Sequence, residues 1–147
     1  MNSFILIITG IIGAILTYFV SEKLKQGAVR ASALLSIPVG LFFYFFPQLL
    51  DSYLTKNIPL VFIGATFIGM VSSEVKVSYI KLGLAGVLFS IIYIYNTNFF
   101  EGYGGSLGAL ALISLLASMG ISVLFSKNEK ISQFISKIKA SFFNQKK

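Results

Sequence analysis

Apolar runs separated by short charged or polar breaks set the pattern of this chain. The first run, Phe4 to Val20, carries no charge, and Glu22, Lys23, Lys25 and Arg30 follow it. The second runs from Ala31 to Leu50 and contains Pro38. Asp51 to Asn57 is polar, and Pro59 opens a third run that reaches Val71, with Glu74, Lys76 and Lys81 beyond it. The fourth spans Leu82 to Phe100. After the glycine-rich turn Glu101 to Gly105, the fifth covers Leu107 to Phe125. A hydrocarbon core about 30 Å thick needs about 20 helical residues per crossing, and four of the runs approach that length. The sequence therefore predicts an all-α integral membrane protein of five transmembrane helices over about 4–20, 31–50, 59–77, 82–100 and 105–125. Residues 1–125 form the membrane domain and 126–147 a tail.

The third run is the least regular. From Pro59 to Val71 it covers only about 20 Å at the helical rise. It spans if the helix continues through Val75 and Val77, and is re-entrant otherwise. Basic residues favour the spanning reading, because Lys and Arg concentrate on the cytoplasmic side. With five crossings, Lys23, Lys25 and Arg30 share a side with Lys76, Lys81 and the lysines of the tail. Of the 12 basic residues only Lys56 falls opposite. The N-terminus is expected outside and the C-terminus in the cytoplasm. The first run lacks a basic leader and a small-residue cleavage site, so it is expected to stay in the protein. Tyr44, Phe45, Phe46, Tyr53, Tyr93, Tyr95, Phe99, Phe100 and Tyr103 cluster towards the outer interface, a layer that aromatic side chains favour.

The tail has its own periodicity. Ile131, Phe134, Ile135, Ile138 and Phe142 recur every three or four residues, with Lys130, Lys137 and Lys139 on or beside the other faces. A basic amphipathic helix lying on anionic inner-leaflet lipid is expected.

Composition sharpens this picture. Of the 147 residues 56% are hydrophobic and 12% charged, with a mean hydropathy of +0.85, whereas soluble domains carry about 25% charge. The net charge of +7 is explained by membrane orientation, and no nucleic-acid partner is expected. With neither Cys nor His, thiolate and imidazole chemistry are excluded.

The candidate chemistry is correspondingly thin. Gly104-Gly105-Ser106-Leu107-Gly108 fits the spacing of a nucleophile elbow, but that motif needs a strand before it and a histidine base. Gly102-Tyr103-Gly104 shares three residues with a potassium filter, yet Phe100-Glu101 precede it where the filter needs Thr-Val. The same glycines open a helix as a phosphate-binding loop does, without the strand or the lysine. No catalytic residue, metal or cofactor is expected, and the chain is not expected to be an enzyme. The outer turn Glu101, Gly102, Tyr103, Gly104, Gly105 and Ser106 is kept as a candidate binding segment, because Glu101 adjoins free backbone N–H groups on the side almost empty of lysine. Small residues at i and i+4 are the stronger signal. Gly10 with Ala14, Ala65 with Gly69, and Gly104 with Gly108 mark faces on which helix backbones approach closely in lipid, and Gly83 with Gly86, and Ser114 with Ser118, mark further ones. No charge lies mid-span; the polar mid-span residues are Thr9, Thr17, Ser36, Thr66, Ser90, Ser114 and Ser118.

Two functional expectations follow. One is a small oligomeric transporter or channel for a small ion or solute. The other is a non-transporting accessory or interaction subunit of a membrane complex. Either places the protein in a bacterial cytoplasmic (inner) membrane, as a homo-oligomer or beside a partner membrane subunit.

Overall fold

A computed structural model describes residues 2–72, 75, 77–95 and 104–144, with the side chains of the last helix described over 105–125. Among the described residues the chain forms five helices and no strand: α1 (Asn2–Lys23), α2 (Ala28–Phe45), α3 (Ser52–Gly69), α4 (Tyr79–Tyr95) and α5 (Gly104–Asn144).

Several boundaries differ from the sequence reading, each for a local reason. The second helix does not reach Leu50. It stops at Phe45 because Pro47 follows, and the residue before a proline is pushed out of the helical region. The third helix does not begin at Pro59 or run to Val77. It starts at Ser52, after Asp51, carries Pro59 inside it, and ends at Gly69. The Thr55 N–H bonds the Asp51 carbonyl at 2.9 Å, so the first turn is already closed upstream of the proline. The fourth helix starts three residues before Leu82 and is described to Tyr95; Phe99 and Phe100 lie outside the described residues. The fifth span, Gly105–Phe125, is part of a single helix of 41 residues, about 60 Å long, that continues into the tail.

Contacts along the helices give their directions. Asn2 at the head of α1 bonds Asp51 before α3, 3.3 Å between Nδ2 and Oδ2, and Ala14 and Tyr18 lie against Gly69 at the far end. Hence α1 and α3 run parallel. Leu6 meets Ser90 and Tyr18 meets Tyr79, which makes α4 antiparallel to α1. Ser32 meets Thr66 and Pro47 meets Thr55, so α2 also runs against α3. Ser118 bonds the Lys81 carbonyl, joining α5 to the start of α4. The first four helices thus alternate in direction. One end of the bundle gathers Lys23, Lys25, Arg30 and Lys81, while Asn2, Asp51, Lys56 and Tyr95 lie at the other.

Helix α3 is the centre: it packs against α1, α2, α4 and α5 and contributes more of the core than any neighbour, from Leu54 through Val61 and Ala65 to Ile68. Asn2–Lys23, Ala28–Phe45 and Gly105–Phe125 are long and apolar enough to cross a membrane, and Tyr79–Tyr95 is apolar but shorter. The bundle is greasiest on its outside. Phe4, Ile8, Ile12, Leu16 and Phe19 form an exposed stripe on α1, and Leu34, Ile37, Leu41 and Phe42 are exposed on α2, while Thr17, Thr66, Ser90, Ser114 and Ser118 are completely buried. Water would favour the reverse placement.

Candidate functional site

The chemistry of the interior is that of hydroxyls, one amide and glycine backbones. One close approach lies between α1 and α4. A Cβ placed on Gly10 would overlap the Ser90 hydroxyl and stand 2.9 Å from the Gly86 carbonyl oxygen, and one on Gly86 would stand 2.7 Å from the Gly10 carbonyl oxygen. Contacts below 3.0 Å are not tolerated by packed atoms, so two glycines facing each other are what lets these backbones touch. Ser90 then donates to the Gly86 carbonyl of its own helix at 2.9 Å and to the Leu6 carbonyl of α1 at 3.2 Å.

The second close contact joins α1 to α3. Gly69 faces the Ala14 carbonyl oxygen and the Tyr18 amide, at 2.5 and 2.9 Å from a notional Cβ, and Gly13 faces the Ala65 methyl at 3.0 Å. Gly10, Ala14, Ala65 and Gly69 therefore all sit in contacts within one chain. The structure places Gly108 differently. A Cβ there would only reach Phe67 at 4.0 Å, and at Gly105 it would meet nothing within 4 Å. The inward face of α5 is instead Leu110, Ala111, Ser114 and Ser118. The sequence reading had noted the two serines but not the register that turns Gly105 and Ala109 outward.

The remaining polar groups tie helices in pairs. Ser32 and Thr66 share a hydrogen bond at 2.8 Å between α2 and α3, and Thr66 also donates to the Ile63 carbonyl at 2.7 Å, an arrangement that requires Ser32 to be the donor to Thr66 when Thr66 donates backwards. Ser36 lies 3.5 Å from the same Thr66 oxygen. Tyr93 on α4 donates to the Asn57 side-chain Oδ1 on α3 at 2.9 Å, and Asn57 Nδ2 donates to the Tyr53 backbone carbonyl at 2.7 Å. The sequence reading did not single out Asn57, because it closed the polar stretch Asp51 to Asn57 ahead of the third run. Ser118 bonds the Lys81 carbonyl at 2.7 Å. Thr9, by contrast, bonds only its own helix, at the Ile5 carbonyl.

Among the described residues two hydroxyls sealed from solvent have no partner, Thr17 Oγ1 and Ser114 Oγ. This difference gives a paired test. Thr66→Val removes a bonded hydroxyl and strands that of Ser32, and is expected to lower stability by about 0.5–2 kcal/mol. Thr17→Val keeps the shape and removes only an unbonded group, and is expected to leave stability unchanged or raise it by up to about 1 kcal/mol. Thermal unfolding of both variants in the same detergent checks the contrast; a Thr17→Val loss as large as that of Thr66→Val would contradict it.

Of the outer turn, Glu101, Gly102 and Tyr103 lie outside the described residues. Gly104, Gly105 and Ser106 form the first turn of α5, with no acidic residue in it. At the opposite end of the bundle, a cavity of about 400 Å³ is lined by Ser21, Glu22, Lys25, Gly27, Ala28, Met70, Val71 and Ser72. Among the described residues no group of three His, Cys, Asp or Glu side chains is placed to hold a metal ion.

The geometry thus defines a class, an all-helical bundle with three helices apolar enough for a membrane and a polar interior that binds helix to helix. Comparison with protein families, with curated proteins and with solved structures finds no match.

Proposed function

We propose that this chain is a five-crossing integral membrane protein, N-terminus outside and C-terminal tail in the cytoplasm, that acts as a non-transporting accessory or interaction subunit in a bacterial cytoplasmic membrane. One observation supports the reading best. The buried hydroxyls and glycines are engaged with the backbones of neighbouring helices: Ser90 with Leu6, Ser118 with Lys81, and Gly10 with Gly86. The polar interior therefore serves cohesion, and the surfaces left for action are the apolar exterior and the basic end. The alternating helix directions support the crossings, because they leave Lys23, Lys25, Arg30 and Lys81 on one side. At about 27 and 25 Å, α3 and α4 are short for a span but close to the hydrocarbon thickness. The low hydropathy of α3 fits its position, since the other four helices shield it from lipid.

The experiment is capture of the tagged protein in mild detergent from its native membrane, beside flux measurements on the pure protein in liposomes. The expected result is a stoichiometric membrane partner and no flux. A chain recovered only as itself, conducting a small ion or solute, would overturn the reading in favour of an oligomeric transporter or channel. That second reading draws on Thr17 and Ser114, whose unpartnered hydroxyls retain the capacity to bind a passing water or solute.

A further inference from the structure

The cavity at the basic end differs from the other polar features of the fold because it joins charged groups of both signs to an uncapped helix start. Glu22 and Lys25 both line it, and no ion pair joins them among the described residues. The start of α2 forms one wall through Gly27 and Ala28. No side chain caps this terminus, and its first turn holds no acidic residue. The first helical bond is from the Ala31 N–H to the Gly27 carbonyl at 3.0 Å, so the N–H groups of Ala28, Val29 and Arg30 precede the ladder. Such a terminus attracts anions. A second, independent group points the same way. Ser21 is only 8% exposed, lines the same cavity, and has no hydrogen-bond partner among the described residues. Its oxygen is not among those sealed from solvent, so the hydroxyl stays open to the cavity and can donate to an acceptor bound there.

Lys25, Ser21 and the α2 terminus together favour a phosphate. Glu22 on the same wall disfavours a plain anion and favours a ligand that also carries an N–H cation. Resting on the membrane reading above, which places this end at the lipid headgroups, we propose that the cavity binds the phosphoethanolamine headgroup of a membrane phospholipid. The phosphate is held by Lys25, Ser21 and the α2 N-terminus, and the ammonium by the Glu22 carboxylate. A primary ammonium offers three N–H donors to that carboxylate, whereas the trimethylated choline analogue offers none.

The test is native mass spectrometry of the full-length protein in detergent, titrated separately with dioleoyl phosphatidylethanolamine, phosphatidylcholine and phosphatidylglycerol, with inorganic phosphate as competitor. The ethanolamine lipid is expected to bind on the order of tenfold more tightly than the choline lipid, the effect of one charge-assisted hydrogen-bond set. Ser21→Ala and Lys25→Gln are each expected to weaken it several-fold. Glu22→Gln is expected to abolish the preference over phosphatidylglycerol while Lys25→Arg keeps it. Equal retention of all three lipids by the wild-type protein would overturn the proposal, as would a preference untouched by Glu22→Gln and Lys25→Gln. Competition by inorganic phosphate as strong as that of the lipid would assign the cavity to a free anion and overturn it too. Carbonate extraction of the same membranes reports separately on the parent reading: a chain that stays in the pellet yet shows no headgroup preference refutes this site alone.

Discussion

Gly86→Leu is expected to prevent accumulation of the folded protein, and Gly86→Ala to lower its stability by about 2–4 kcal/mol, at or beyond the upper range of ordinary overpacking. A Cβ at position 86 would stand 2.7 Å from the Gly10 carbonyl oxygen and 3.1 Å from the Ile11 Cα. Those are backbone atoms of α1, so no side-chain rotamer relieves the overlap and the whole helix must move. Moving it also lengthens the Ser90 to Leu6 bond, now 3.2 Å. The same reasoning applies at Gly69, which faces the Ala14 carbonyl and the Tyr18 amide. The control is Gly40→Ala, where nothing lies within 4 Å of the added carbon. Removing a glycine from a helix interior there is expected to raise stability by about 0.5–1 kcal/mol. Size-exclusion profiles and thermal unfolding of the three variants separate the two signs. Equal tolerance of alanine at positions 86 and 40 would contradict the contact.

The second large effect is expected at Phe89, the largest fully buried side chain among the described residues. Its ring lies over Gly64 of α3, so closely that a methyl there would overlap it, and stacks on Tyr93 with ring centroids 6.3 Å apart. In water, Phe→Ala in a core costs about 3–5 kcal/mol, combining a transfer and a cavity contribution. In lipid the transfer contribution is small, because separated helices already expose the ring to hydrocarbon. The cavity contribution remains, so Phe89→Ala is expected to cost about 2–3 kcal/mol. Gly64→Ala alone is expected to be nearly as harmful, and the pair Gly64→Ala with Phe89→Leu to recover part of the loss. Additive losses in unfolding experiments would show that the two positions do not share one space.

These contacts also show where the sequence was informative. The apolar runs marked all five helices because each is apolar on its outer stripe as well as in the core, as Ile8, Ile12 and Leu16 are on α1. Gly10, Ala14, Ala65 and Gly69 were visible as small residues at helical spacing, but which helix each one faces was not. Pairing Gly10 with Gly86 depends on two distant segments meeting in one register. The third helix was the hardest to delimit. It lies inside the bundle, where Asn57 and Thr66 find partners on α4 and α2, so its sequence need not look like that of a lipid-facing span. A local pattern reading left Asp51 to Asn57 outside the third run because that stretch is polar. The cavity around Ser21 was equally out of reach. Ser21, Lys25 and Val71 come together only once α1 and α3 are parallel.

The central claim is that alternate helices carry the chain across a bilayer, with the basic end of the bundle on one side. Because the chain contains no cysteine, single cysteines can be introduced at Lys25, Lys81, Tyr53 and Tyr95 and labelled in right-side-out vesicles with a membrane-impermeant maleimide. Labelling of positions 53 and 95 from outside, with 25 and 81 reacting only after the membrane is opened, is the expected result. Positions 25 and 53 reacting from the same side of sealed vesicles would contradict it.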